Sequence, residues 1–332
     1  MRAWSVGATG DPAQVLERAE VERPEPGKGE VLVRVRAAAL NFPDALMIRG
    51  GYQERPPLPF TPGIELCGDV VAAGPGTQAV VGERVMGASV LPHGGLAEYA
   101  IAAADMLFPA PARFDDAQAA AFTVAYQTGW FALHRRAALR SGETLLVHAA
   151  AGGVGSAAVQ LGKAAGARVV GVVGGAAKAA AARESGADAV VDRTLYPEQR
   201  AFAQALKDAC GPGGADVVYD PVGGAAFAAS TKAVAFEGRI VVVGFAGGEI
   251  AQAATNHALV KNYAVLGLHW GLYRSRAPEL IRDAARDLAE SVQSGALTPV
   301  VSRRLEFDQA AEGLTELAAG RSTGRLVVDV AG

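Results

Sequence analysis

The stretch that most restricts this chain is Leu145-Leu146-Val147-His148-Ala149-Ala150-Ala151-Gly152-Gly153-Val154-Gly155. The apolar run from Glu143 to His148 predicts a short, fully buried strand. A glycine-rich turn follows, then a helical pattern from Val154 to Ala165 that stops at Gly166. Such a turn lets backbone approach a ligand without Cβ obstruction, and a helix N-terminus presents free N–H groups to negative charge. A pyrophosphate needs both. Measured against G-x-G-x-x-G, Ala150 stands in the first position, Gly152 and Gly155 fill the others, and Gly153 and Val154 lie between them. The competing reading is a tight turn that binds nothing. The strand–turn–helix context favours a dinucleotide.

Charge decides which dinucleotide. An acid at the end of the next strand would bond the ribose hydroxyls of NAD. Here that end reads Val172-Val173-Gly174-Gly175, with Lys178 one helical turn later and Arg193 after the following strand. A missing carboxylate with cations nearby points to the extra phosphate of NADP, hence to NADPH as cofactor.

The rest of the chain fits an α/β protein of two domains, as 332 residues suggest. The first third reads as strands and turns: Glu30 to Arg36 alternates polar and apolar residues, and further strands are expected at Cys67 to Ala73 and Arg84 to Ala88. Buried runs then alternate with helical segments at Arg168 to Val173, Ala189 to Val191, Asp216 to Tyr219, Arg239 to Val243 and Tyr263 to Leu268. That alternation implies a doubly wound parallel sheet. A tail of two helices and two strands, too small for its own domain, is expected to return to the first one. The expected divisions are 1–122, 123–267 and 268–332.

A net charge of −3 gives no footprint for nucleic acid, and two cysteines allow neither a disulfide scaffold nor a four-cysteine zinc site. The N-terminus lacks the apolar core of a signal peptide, and the longest uncharged stretch, Ala117 to His134, carries polar residues unsuited to a membrane span. A cytoplasmic protein is expected.

Taken together, Ala39-Leu40-Asn41-Phe42-Pro43-Asp44, Gly50-Gly51-Tyr52, Leu58-Pro59-Phe60-Thr61-Pro62-Gly63-Ile64-Glu65, the glycine loop and the Thr323-Gly324-Arg325 ending fall in one order and spacing. The chain resembles the medium-chain dehydrogenase/reductase superfamily, in its zinc-free, zeta-crystallin-like quinone oxidoreductase branch. The resemblance implies a GroES-like β domain, completed by the C-terminus, plus a Rossmann domain, with the active site in the cleft between them. Where zinc-dependent relatives carry a Cys and a Gly-His-Glu, this chain has the Asn41 loop and Gly63-Ile64-Glu65. No metal is expected.

Carried over by position, the resemblance gives Asn41 and Tyr52 to substrate polarisation, with Asn41 also near the nicotinamide. It gives Thr128 to the carboxamide end of the cofactor, and Gly244, Phe245, Leu268, His269 and Trp270 to the nicotinamide pocket. Lys178 and Arg321 go to the adenosine phosphate, with Arg193 standing where some members have a tyrosine. It further implies a homodimer through the edge strand Tyr263 to Leu268. The substrate is then a quinone or related conjugated carbonyl. The alternatives are an enoyl thioester or enone, and a low-turnover NADPH-binding protein.

Overall fold

The computed structural model describes residues 1–331, which form two compact units. One is Met1–Val124 together with the chain from Pro299 onward; the other is Ala125–Thr298.

The strands of the first unit begin with an antiparallel pair, β1 (Arg2–Val6) and β2 (Leu16–Glu20). Next come β3 (Glu30–Ala39), β4 (Glu65–Ala73), β5 (Arg84–Ser89) and β6 (Tyr99–Pro109). In the second unit run β7 (Thr144–His148), β8 (Arg168–Val173), β9 (Ala189–Asp192), β10 (Ala215–Asp220), β11 (Val234–Val242) and β12 (Ala264–Gly267). The chain then returns with β13 (Val301–Glu306) and β14 (Arg325–Asp329).

The larger sheet of the first unit has the order β13-β14-β3-β4-β5-β6, and β3 also pairs with β6. The C-terminus completes this unit because β14 pairs antiparallel with β3, Val327 opposite Ala39. Val31, Val33 and Val35 of β3 pack into one core with Leu305, Leu314 and Leu326 of the returning chain. Residues distant in sequence therefore bury each other's apolar surface.

The second unit is one parallel sheet, β12-β11-β10-β7-β8-β9. Its buried Val and Leu runs are those of strands covered on both faces. The order reverses at β7, with β8 on one side and β10 on the other. In doubly wound sheets that switch point, at the carboxyl ends of the strands, is where ligands bind.

The boundary at Leu268 is corrected by the structure. The segment 268–298 stays with the parallel-sheet unit, since Leu268 N–H bonds to Val242 O and Tyr273 packs on Phe131 with ring centroids 4.2 Å apart. The return begins at Pro299. The edge strand is also shorter than expected, and Tyr263 is buried before it begins. No helix among the described residues is long and apolar enough to cross a membrane.

Candidate dinucleotide site and active-site residues

The turn after β7 is built by one unusual backbone residue. Ala149 has φ +50, a left-handed conformation that is strained for a residue with a side chain. Its carbonyl accepts from Gly152 N–H at 2.8 Å. A Cβ on Gly155 would lie 2.0 Å from the same oxygen, and one on Gly152 at 3.2 Å. The glycines are thus required by backbone folded against backbone. The helix Gly153–Ala164 begins here with no side-chain cap, leaving its first N–H groups for an outside acceptor. This cradle has the shape and donors that a pyrophosphate requires.

At the end of β8, Arg193 lies across Gly174: a Cβ on Gly174 would be 3.3 Å from the Arg193 Nη2. Burial and then the Arg193 guanidinium lower the Lys178 ammonium, so the two cations stand close together. Sequence reasoning overlooked Asp192, the acid closing β9. Its Oδ1 accepts from Gly175 N–H (2.8 Å), Thr194 N–H (3.0 Å) and the Thr194 hydroxyl (2.7 Å). These bonds hold its carboxyl below the usual range. Asp192 fixes the turn that presents Gly174 and Arg193.

Gly244 and Phe245 follow β11, and Leu268, His269 and Trp270 follow β12, so both segments leave carboxyl ends of the same sheet. Thr128 is buried on the helix Thr123–Trp130. Its neighbour Gln127 accepts from Trp270 Nε1 at 3.0 Å and ties that helix to the segment after β12. The structure thus gathers most cofactor residues of the sequence reading onto the second unit.

Asn41, Tyr52 and Arg321 lie in the first unit. The Asn41 side chain is hydrogen-bonded within this unit. Its Nδ2 donates to Ala39 O and Glu65 Oε2, both at 3.1 Å, and its Oδ1 accepts from Arg325 Nη1 at 2.9 Å. Both amide hydrogens are spent. Arg325 also bonds Glu65 directly, and Glu65 Oε1 accepts from Val124 N–H at 2.7 Å. All three side chains are buried, and burial pushes the Glu65 carboxyl up against the pull of Arg325. Only chain folding brings Arg325 here, so no local signal could have found the cluster.

Asp44 beneath them accepts from the N–H groups of Asn41, Gly63 and Ile64, yet burial still pushes its carboxyl up to about 6. Tyr52 is pushed up to about 12 by burial, then by Glu54 and Asp44, and remains a phenol at neutral pH. Arg321 lines an open groove with Glu312, Thr315 and Glu316. Both carboxylates are ion-paired with Arg303. Among the described residues, no group of three or more His, Cys, Asp or Glu side chains is arranged to hold a metal ion.

Known proteins share this fold. Residues 153–286 match the zinc-binding dehydrogenase family and residues 27–112 the alcohol dehydrogenase GroES-like domain. Quinone oxidoreductase-like protein 2 of Bos taurus is 36% identical over 304 residues, covering 91% of this chain and 85% of that protein.

The chain belongs to the medium-chain dehydrogenase/reductase superfamily, in its quinone oxidoreductase branch.

A superfamily structure, a mycobacterial protein complexed with NADPH, superimposes with a TM-score of 0.91 at 31% identity, covering 99% of both chains. A mycocerosic acid synthase-like polyketide synthase of Mycobacterium tuberculosis is 32% identical over 96% of this chain, which spans 15% of that larger protein.

Proposed function

We propose that this chain reduces a quinone or related conjugated carbonyl with NADPH, by hydride transfer and without zinc. The observation that carries this reading is the cradle at Ala149–Gly155, where backbone contact excludes a Cβ at Gly155 and leaves helix N–H groups for an anion. When bound, NADPH supplies the hydride. The chain's own residues hold and orient it: Gly152, Gly153, Val154 and Gly155 at the pyrophosphate, Lys178 and Arg193 at the adenosine phosphate. Thr128, Gly244, Phe245, Leu268, His269 and Trp270 serve the nicotinamide end. Tyr52 donates its phenolic hydrogen to the substrate oxygen that gains charge. Asn41 acts at one remove, by holding Glu65 and Arg325.

The name of the Bos taurus relative supports a quinone acceptor. The polyketide synthase match favours a second reading, reduction of an enoyl thioester or enone. NADPH oxidation with 1,4-benzoquinone, 9,10-phenanthrenequinone, an enone and crotonyl-CoA separates them, each repeated with NADH. Quinone turnover preferring NADPH is the expected result; turnover on the enone or thioester alone would transfer the protein to the second reading.

Arg193→Ala is expected to weaken NADPH binding by about 10- to 100-fold while leaving NADH nearly unchanged, since only the phosphate loses a charged donor. Fluorescence titration with both nucleotides checks it. Tyr52→Phe is expected to lower kcat by about 10- to 100-fold with little change in stability, as loss of an oxyanion donor does. Full turnover by that variant would remove Tyr52 from the mechanism.

We also propose a homodimer through β12, the outer strand of its sheet, near which Leu259 and Val260 are 77% and 76% exposed. Val265→Lys is then expected to halve the mass measured by light scattering. We propose a cytoplasmic setting, which two buried thiols without a disulfide, Cys67 and Cys210, support.

A further inference from the structure

His148 closes β7 and Asp220 closes β10, each one residue past the paired positions Val147 and Tyr219. Both side chains are buried. His148 Nε2 lies 2.7 Å from Ser230 Oγ, which donates its own hydrogen to Ala226 O at 2.9 Å. The imidazole therefore supplies the hydrogen of the first bond. Asp220 Oδ1 accepts from Val222 N–H (2.8 Å) and Gly223 N–H (3.0 Å), while Oδ2 is buried with no hydrogen-bond partner. These residues do not make a hydrolytic triad, because Ser230 is fully buried in its helix and its hydrogen is already used.

Their position gives them another role. His148 immediately precedes Ala149, whose carbonyl is the floor of the cradle. The Asp220 turn is tied to the segment after β11, with Val243 N–H bonded to Asp220 O (2.8 Å) and Gly247 N–H to Val222 O (2.9 Å). The pair is thus adjacent in sequence or hydrogen-bonded to both turns that the proposed function assigns to the cofactor.

We infer that His148 and Asp220 are a positioning pair for these turns, and that arrival of the anionic dinucleotide draws one proton from solvent onto His148 Nδ1. The inference rests on the dinucleotide reading of the cradle. Two opposed effects already act on the imidazole: burial disfavours its charged form, and the Asp220 carboxylate favours it. Of the other elements packed against it, the helix Gly224–Ala233 offers the Ser230 hydroxyl and the helix Gln199–Cys210 the edge of the Phe202 ring, 6.4 Å away. Two phosphate charges added beside the next residues shift the balance toward imidazolium, and a histidine is the side chain most readily moved by such a change.

Titration calorimetry with NADP, in buffers of different ionisation heat, counts the protons taken up. Protonation of the ligand's own phosphate is common to all variants and cancels. The wild type is expected to take up more protons than His148→Asn or Asp220→Asn, by a large fraction of one per site. Proton uptake favours binding at low pH, so from about pH 5.5 to about pH 7.5 the wild-type Kd should rise by up to about tenfold more than that of either variant. Asp220→Asn keeps the acceptor for Val222 and Gly223, and decides the matter if circular dichroism shows that His148→Asn does not fold. Equal uptake in the wild type and the folded variants would overturn the inference. Absence of NADP binding by the wild type would instead overturn the dinucleotide reading, and this inference with it.

Discussion

Arg325→Leu is expected to destabilise the protein by about 3–5 kcal/mol, because it strands the Glu65 carboxylate in a buried site. The arginine bonds both Glu65 and the Asn41 carbonyl oxygen, and all three side chains are at most 5% exposed. Urea unfolding followed by circular dichroism measures the loss. The loss should depend on pH in a definite direction. Burial already raises the Glu65 carboxyl, and removing its cation raises it further. A group raised in the folded state gives its full stability below its unfolded value and loses it as pH rises through the folded one. The variant should therefore suffer least near about pH 4 to 5 and most above neutrality. Replacing Glu65 with leucine as well should recover only part of the loss, since Asn41 and the Val124 N–H would still lack their acceptor. An unchanged unfolding midpoint in Arg325→Leu would show that the cluster contributes no net stability.

Gly155→Ala is expected to abolish NADPH binding and to cost about 2–4 kcal/mol of stability, through overpacking that no rotamer change relieves. The added Cβ meets Ala149 O at 2.0 Å, Ala149 C at 2.7 Å and Ala150 Cα at 3.0 Å, all of them backbone. Gly152→Ala supplies the comparison, with its Cβ at 3.2 Å from the same oxygen. That variant should fold nearly as the wild type yet bind NADPH at least tenfold more weakly, since the methyl group narrows the approach to the cradle. Tryptophan fluorescence with added NADPH, beside thermal unfolding, distinguishes a lost site from a lost fold. Normal affinity in Gly155→Ala would remove the cradle from the functional reading.

Much of the second unit was legible because its signals are local. The run of apolar residues ending at His148, the glycines at 152 and 155 and the helix after them lie in one short segment, and each constrains its neighbours. The end of β8 was legible for the same reason, through the absence of an acid near Gly174. Asp192 escaped notice because it acts from the next strand, by accepting the N–H of Gly175. The partners of Asn41 were not legible for a related reason: its hydrogen bonds go to Glu65, 24 residues away, and to Arg325, 284 residues away. The division at Leu268 failed because a strand followed by a helix looks alike whichever unit it packs on.

The sequence alone determined the parallel α/β unit, the β-rich first third, the glycine turn after the first strand of the parallel sheet and the cations beyond its second. Each follows from residues within a few turns of one another, where backbone sterics and periodicity act directly. The tertiary structure alone decided which polar groups are spent and which are left over. Asn41, Glu65 and Arg325 satisfy one another, whereas Asp220 keeps one buried oxygen without a partner beside His148. Hydrogen bonding saturates, and burial makes every unsatisfied group costly, so these roles depend on neighbours that only the folded chain brings together.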